Sequence, residues 1–119
     1  MRRTLMGAGL LLGLAGCAGL RTVPTEQLVE SEVAIRQAEE AGAEEVPQAA
    51  QLLAWAREQT RDARRLLEQN KREQAALYLR RAEADAELAL ALAREAPVRA
   101  DAQRALDAVH QLQQDAGQR

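Results

Sequence analysis

Residues 75–93 read AALYLRRAEADAELALALA. Within them Ala75, Leu79, Ala82, Ala86, Ala89 and Ala93 recur at alternating intervals of four and three. That spacing keeps six side chains on one side of an α-helix, as in a coiled-coil seam. Nearly every seam position is alanine, so a neighbouring helix axis can come close. The flanking residues (Arg, Glu, Leu, Ala) are strong helix formers, and no glycine or proline interrupts the run. The spacing predicts a helix over about 72–95 whose narrow apolar stripe needs partner helices.

Working back along the chain, Gln69-Asn70-Lys71 reads as a tight turn, because asparagine tolerates the left-handed backbone. Before it, a second helix is expected over about 47–69, with proline in its first turn. Its stripe is read as Ala49, Leu52, Ala56, Gln59, Ala63 and Leu66, with Leu53 and Leu67 beside it. A first helix is expected over about 26–44, with Leu28, Ser31, Ile35, Ala38 and Gly42 on one face and Thr25 as its cap. Forward of residue 95, Pro97 interrupts. A fourth stripe follows it: Val98, Ala102, Ala105, Val109, Leu112 and Ala116. Its phase differs by two residues from that of the third helix, so the chain either kinks or breaks at Pro97. The fold class expected is all-α: a small antiparallel helical hairpin or bundle of three to four helices, preceded by a cleaved N-terminal signal.

Composition limits this fold. The chain has 119 residues, enough for one domain, with no Phe, one Trp and one Tyr. A core made mostly of alanine methyls removes little apolar surface from water, at about 0.8 kcal/mol per carbon unit. Modest stability is expected.

The N-terminus reads MRRTLMGAGLLLGLAGC. Arg2 and Arg3 form a positive start, Leu5 to Leu14 an apolar middle, and small residues precede Cys17. This is the layout of an export signal. About ten apolar residues at 1.5 Å each reach roughly 15 Å, half the thickness of a hydrocarbon core, so a membrane span is the poorer reading. The tetrapeptide Leu14-Ala15-Gly16-Cys17 resembles the lipobox of bacterial lipoproteins. That resemblance implies cleavage before Cys17, a diacylglycerol on its thiol and a further acyl group on its new amino end. The covalent lipid on Cys17 is the only cofactor-like group expected. Two or more acyl chains anchor stably, one only marginally. Ala18 stands where an aspartate resembles an inner-membrane retention signal, so the outer membrane is expected, with the domain facing the periplasm. The expected organisation is a signal over 1–16, a lipidated cysteine and tether over 17–25, one helical domain over 26–116 and a frayed tail over 117–119.

From Ala34 to Ala93 the chain also resembles a bacterial lipoprotein family known as domain of unknown function forty-three ninety-eight. The residues that carry this are Ala34-Ile35, Ala38, Ala41-Gly42-Ala43, Val46-Pro47, Leu52 with Ala56, Ala75, Ala82 and the run Ala84-Asp85-Ala86-Glu87-Leu88-Ala89. The resemblance implies a lipid-anchored helical hairpin and supplies no catalytic residues.

Charge is segregated. The whole chain carries −2, and from Cys17 onward 18 acidic residues stand against 14 basic ones. That balance excludes a nucleic-acid partner, which calls for a basic surface. Residues 26–46 hold seven acids and one base, whereas residues 57–81 hold eight bases and four acids. One reading lays the acidic first helix against the basic hairpin. The other makes Arg57, Arg61, Arg64, Arg65, Arg80 and Arg81 a patch for an anionic envelope polymer or lipid. Charge runs on helices are usually solvated or internally paired, which favours the first.

Catalytic and metal sites are not expected. Asp107 and His110 stand one turn apart, but one histidine without a second His or Cys makes a poor metal site. No nucleophile triad or glycine-rich phosphate loop is present. Trp55 and Tyr78 flank the stripes and read as core-edge packing. The expected role is therefore not enzymatic. The chain is read as a membrane-anchored structural or adaptor module that binds another envelope protein, or itself, through the face of Val98, Ala102, Ala105, Val109 and Leu112. The alternative is the arginine patch.

Overall fold

The computed structural model describes residues 23–118. The signal, the lipobox residues Leu14, Ala15 and Gly16, Cys17 and most of the tether lie outside the described residues, as does Arg119. The described chain is all-helical. It comprises α1 (Pro24–Glu40), a short 3-10 turn (Ala43–Glu45), α2 (Pro47–Glu68) and α3 (Arg72–Gly117). Each α-helix touches the other two, but the molecule is elongated rather than a compact bundle.

Backbone chemistry sets the two connections. Gly42 ends α1 in the left-handed region, at φ 82°, and its N–H donates to the Glu39 carbonyl at 3.0 Å. Asn70 does the same for α2, at φ 59°. Its N–H donates to the Leu67 carbonyl at 2.9 Å, while the Lys71 N–H donates to Leu66 at 2.8 Å. Those two bonds are the Schellman pattern, which satisfies carbonyls a helix end otherwise leaves unpaired. The expected turn at 69–71 is thus observed. The start of α1 differs from expectation. Pro24, not a residue after Thr25, opens the helix, and the cap residue Val23 makes no side-chain bond. Proline suits a first turn because its missing N–H has no helical partner there.

The buried residues of α3 up to Ala93 are the six seam residues read from the sequence. In α1 and α2 the seams keep Ser31, Ala38, Ala49, Ala56 and Ala63 of the expected stripes and differ at the other positions. α1 buries Gln27, Ser31, Ala34 and Ala38; α2 buries Ala49, Leu53, Ala56, Thr60 and Ala63. Leu28, Ile35, Leu52 and Leu66 are only half-buried along the edges. Small side chains fill most of the seam, Leu53 and Leu79 are the two large ones within it, and the remaining leucines pack at its margins. Ser31 and Thr60 enter the seam because their hydroxyls donate back to the carbonyls of Leu28 and Ala56, both at 2.9 Å. A buried hydroxyl with such a bond avoids the desolvation cost.

The core lies in three layers. Ala38, Ala43, Ala49, Leu53, Ala89 and Ala93 form one end. Ala34, Ala56, Ala82 and Ala86 form the middle. Ala63, Ala75 and Leu79 form the other end, with Leu28, Leu66, Leu67 and Tyr78 packed around them. Tyr78 therefore is a core-edge residue. Trp55 is not: it is 47% exposed and belongs to no layer.

The expected fourth helix is not a separate element. α3 runs through Pro97 without a break for 46 residues, about 69 Å at 1.5 Å per residue. α1 and α2, of 17 and 22 residues, flank only its first half. The proline N cannot donate to the Ala93 carbonyl, so one ladder bond is lost, yet the helical bonds on either side persist. Every described residue from Pro97 onward is exposed. The last part of α3 projects beyond the packed helices as a single free helix.

Candidate interaction surface

The arginines of the basic hairpin fall into two groups. Nε of Arg57 donates to Glu39 at 3.0 Å, and its Nη2 donates to Glu44 at 2.6 Å. These bonds, Glu44 first, hold the guanidinium even more firmly in its charged form. Arg64 pairs with Glu32 on α1, and Arg65 with Asp62 on its own helix. α1 thus lays part of its acidic surface against the arginines of α2. Arg61, Arg80 and Arg81 are exposed and make no ion pair among the described residues. Of the six arginines, Arg57, Arg64 and Arg65 are thus paired with acids; Arg57, Arg61, Arg64 and Arg65 stand on α2, and Arg80 and Arg81 on α3. Each exposed pair is worth at most about 1 kcal/mol.

On the facing side of α3, Glu83 is half-buried near Glu30 of α1 and Glu87 of the next turn. Burial raises its carboxyl above the ordinary 4.5, and the two neighbouring carboxylates add to this. The charged form is therefore the disfavoured one in the folded state. Stability from this group is fully present below the unfolded value and is lost as pH rises through the raised one. Glu83→Gln is expected to stabilise the fold at pH 7 by on the order of 0.5 kcal/mol or less, the scale of a partly solvated charge, and so to raise the melting temperature slightly. The advantage should vanish below about pH 4. Thermal melts of both proteins at pH 3.5 and pH 7 check this; an equal difference at both values would refute it.

Gln59, expected in the α2 stripe, instead sits at its edge. Its Nε2 donates to Asp85 of α3 at 2.8 Å, while its Oε1 is buried without a partner. Asp107 and His110 are both exposed on the projecting helix, and Asp107 accepts from Gln103 at 2.9 Å. No group of three metal-ligating side chains exists among the described residues. No described helix is long and apolar enough to cross a membrane.

The apolar residues after Pro97 have no neighbour. Val98 is 67% exposed, Leu106 55%, Val109 48% and Leu112 69%, and Ala102 and Ala105 are exposed with them. Leu106 was not part of the expected stripe; it lies on its flank. Near the packed half, Pro47, Leu52 and Trp55 of α2 with Leu88 and Leu92 of α3 line a shallow apolar hollow open to solvent. No family model matches the chain, and neither a curated protein nor a solved structure is significantly similar to it.

Proposed function

We propose that this chain is a lipid-anchored protein of the bacterial cell envelope that acts as a helical adaptor. In this reading the signal is cleaved ahead of Cys17 and the acylated cysteine sits in the outer membrane. The helical domain faces the periplasm, and no catalysis is assigned to it. The observation that supports an adaptor is the projecting end of α3. A free helix of about twenty residues carrying Val98, Val109 and Leu112 in water exposes an apolar stripe that gains free energy only when covered. Nothing in the packing of α1 and α2 needs that segment, so its apolar residues serve an external contact. The pairing of Arg57 and Arg64 with acids of α1 speaks against the arginine face as the main binding surface.

Ending the chain after Ala96 tests this. Residues 97–118 are all exposed and belong to no layer of the core. The shortened protein is expected to fold with a monomer stability within about 0.5 kcal/mol of the full chain, as for surface changes in general. It should lose its cellular contact partner, measured by crosslinking in intact cells. Loss of cooperative melting on truncation would show instead that the last helix belongs to the fold.

A further inference from the structure

The continuity of α3 through Pro97 has a geometric consequence on its outer side. At about 100° per residue, the stripe of Val98 to Leu112 lies roughly 140° around the helix from the seam that α1 and α2 cover. The same outer side carries apolar residues in the packed half. Leu77, Ala84, Ala91, Val98, Ala105 and Leu112 follow one another every seven residues, and all are exposed. A second row, four residues on from each, is Arg81, Leu88, Glu95, Ala102, Val109 and Ala116, also all exposed. α3 therefore has two seams. The inner one is filled. The outer one runs for about 58 Å, over five heptads, well beyond the three or four that a coiled coil needs.

We infer that the outer seam of α3 is covered by α3 of a second copy of this chain, packed antiparallel. This rests on reading the projecting helix as a docking face, and it names the partner of that face.

Charge decides the orientation. In a parallel pair Arg81 would meet Arg81 and Glu95 would meet Glu95 in the seam itself, which places like charges in contact. In an antiparallel pair with Glu95 opposite Val98 of the second copy, each member of the second row faces one of the first. Arg81 meets Leu112, Leu88 meets Ala105, Ala91 meets Ala102 and Ala84 meets Val109. Arginine at such a position keeps its stem on apolar surface and its head in water. Flanking positions then pair Arg94 with Asp101 and Arg80 with Asp115, each twice by symmetry. Sliding by one heptad in either direction sets Arg94 against Arg94, or Asp101 against Asp101. Arg80 and Arg94 make no ion pair within the described chain, so both are available for this contact. Asp101 has only the exposed local pair with Arg104 to exchange.

The same register accounts for the apolar hollow. It lays the projecting helix of each copy along the packed half of the other and brings Leu106 of the second copy to the side where Trp55, Leu88 and Leu92 lie. Small residues at Ala84, Ala91, Ala102 and Ala105 let the two helices approach closely, as alanine does in the inner seam.

Cysteine pairs in the full chain, oxidised in isolated native membranes, test the register. The double variant Ala84→Cys with Val109→Cys is expected to give a disulfide-linked dimer on a non-reducing gel, and neither single variant should do so. Adding Arg94→Asp should remove most of that band, and adding Asp101→Arg to it should restore it. No dimer from the double variant, or a dimer from Ala84→Cys alone, overturns the inference. So does a charge swap that fails to restore the band. A photo-crosslinker at Val109 separates the two layers of the argument. Capture of a different protein there sinks the second copy and leaves the docking face standing. Capture of nothing sinks both.

Discussion

Leu79→Ala is expected to cost about 3 kcal/mol of folding free energy, the middle of the range for a buried leucine. In most domains such a loss is survivable. Here Leu79 and Leu53 are the two largest fully buried side chains, and the rest of the core is chiefly alanine. Leu79 closes the turn end of the packed helices. It fills the space between Ala63 and Ala75, and Leu66, Leu67, Leu28 and Tyr78 pack around the same layer. Removing its branched end opens a cavity that those edge residues cannot fill without leaving their own contacts. A small domain has total stability of roughly 5–10 kcal/mol, so a third or more of it would go. The chemical denaturation midpoint should fall sharply, with secondary structure lost in the same transition. Leu79→Met keeps the volume and should cost less than about 1.5 kcal/mol. If both variants behave alike, the layer is not packed as described.

Cys17→Ser is expected to move the protein from the membrane fraction to the soluble one and to abolish labelling by a fatty-acid probe. Leu14-Ala15-Gly16-Cys17 ends the apolar run, and only the thiol of Cys17 offers the nucleophile for lipidation there. Serine matches the size of cysteine but lacks the sulfur that would carry the diacylglycerol. With two or more acyl chains present, anchoring is effectively stable, and without them no described helix replaces it. Retention of the serine variant on membranes, with the label intact, would end the lipoprotein reading. The helical domain itself should melt as before, because Cys17 precedes α1.

Much of the fold was legible in local patterns. The α3 seam was readable because the four-and-three alternation of Ala75 to Ala93 is unbroken. The Asn70 turn was readable because few residues accept positive φ. In α1 and α2 the reading was half right: Ser31, Ala38, Ala49, Ala56 and Ala63 are buried as expected, whereas Gln27, Ala34, Leu53 and Thr60 take the places given to Leu28, Ile35, Leu52 and Gln59. The hydroxyls of Ser31 and Thr60 donate to backbone carbonyls of their own helices, which lets them be buried. The alternation Ala49, Leu53, Ala56, Thr60, Ala63 was present in the sequence and matches that of α3.

By itself, then, the sequence determined helix content, the α3 part of the inner seam, the Asn70 turn and the segregation of charge, because each depends on side chains within a turn or two of one another. Only the tertiary structure decided what happens at Pro97. A proline inside a helix costs about 3 kcal/mol relative to alanine, through one lost hydrogen bond and a ring clash. A chain can absorb that cost and continue, or reverse where packing gives a better return. Here the inner seam is already filled by α1 and α2 as far as Ala93. The helix therefore continues. Its continuation joins Leu77, Ala84 and Ala91 to Val98, Ala105 and Leu112 in one row, a relation that exists in space only because α3 does not turn back.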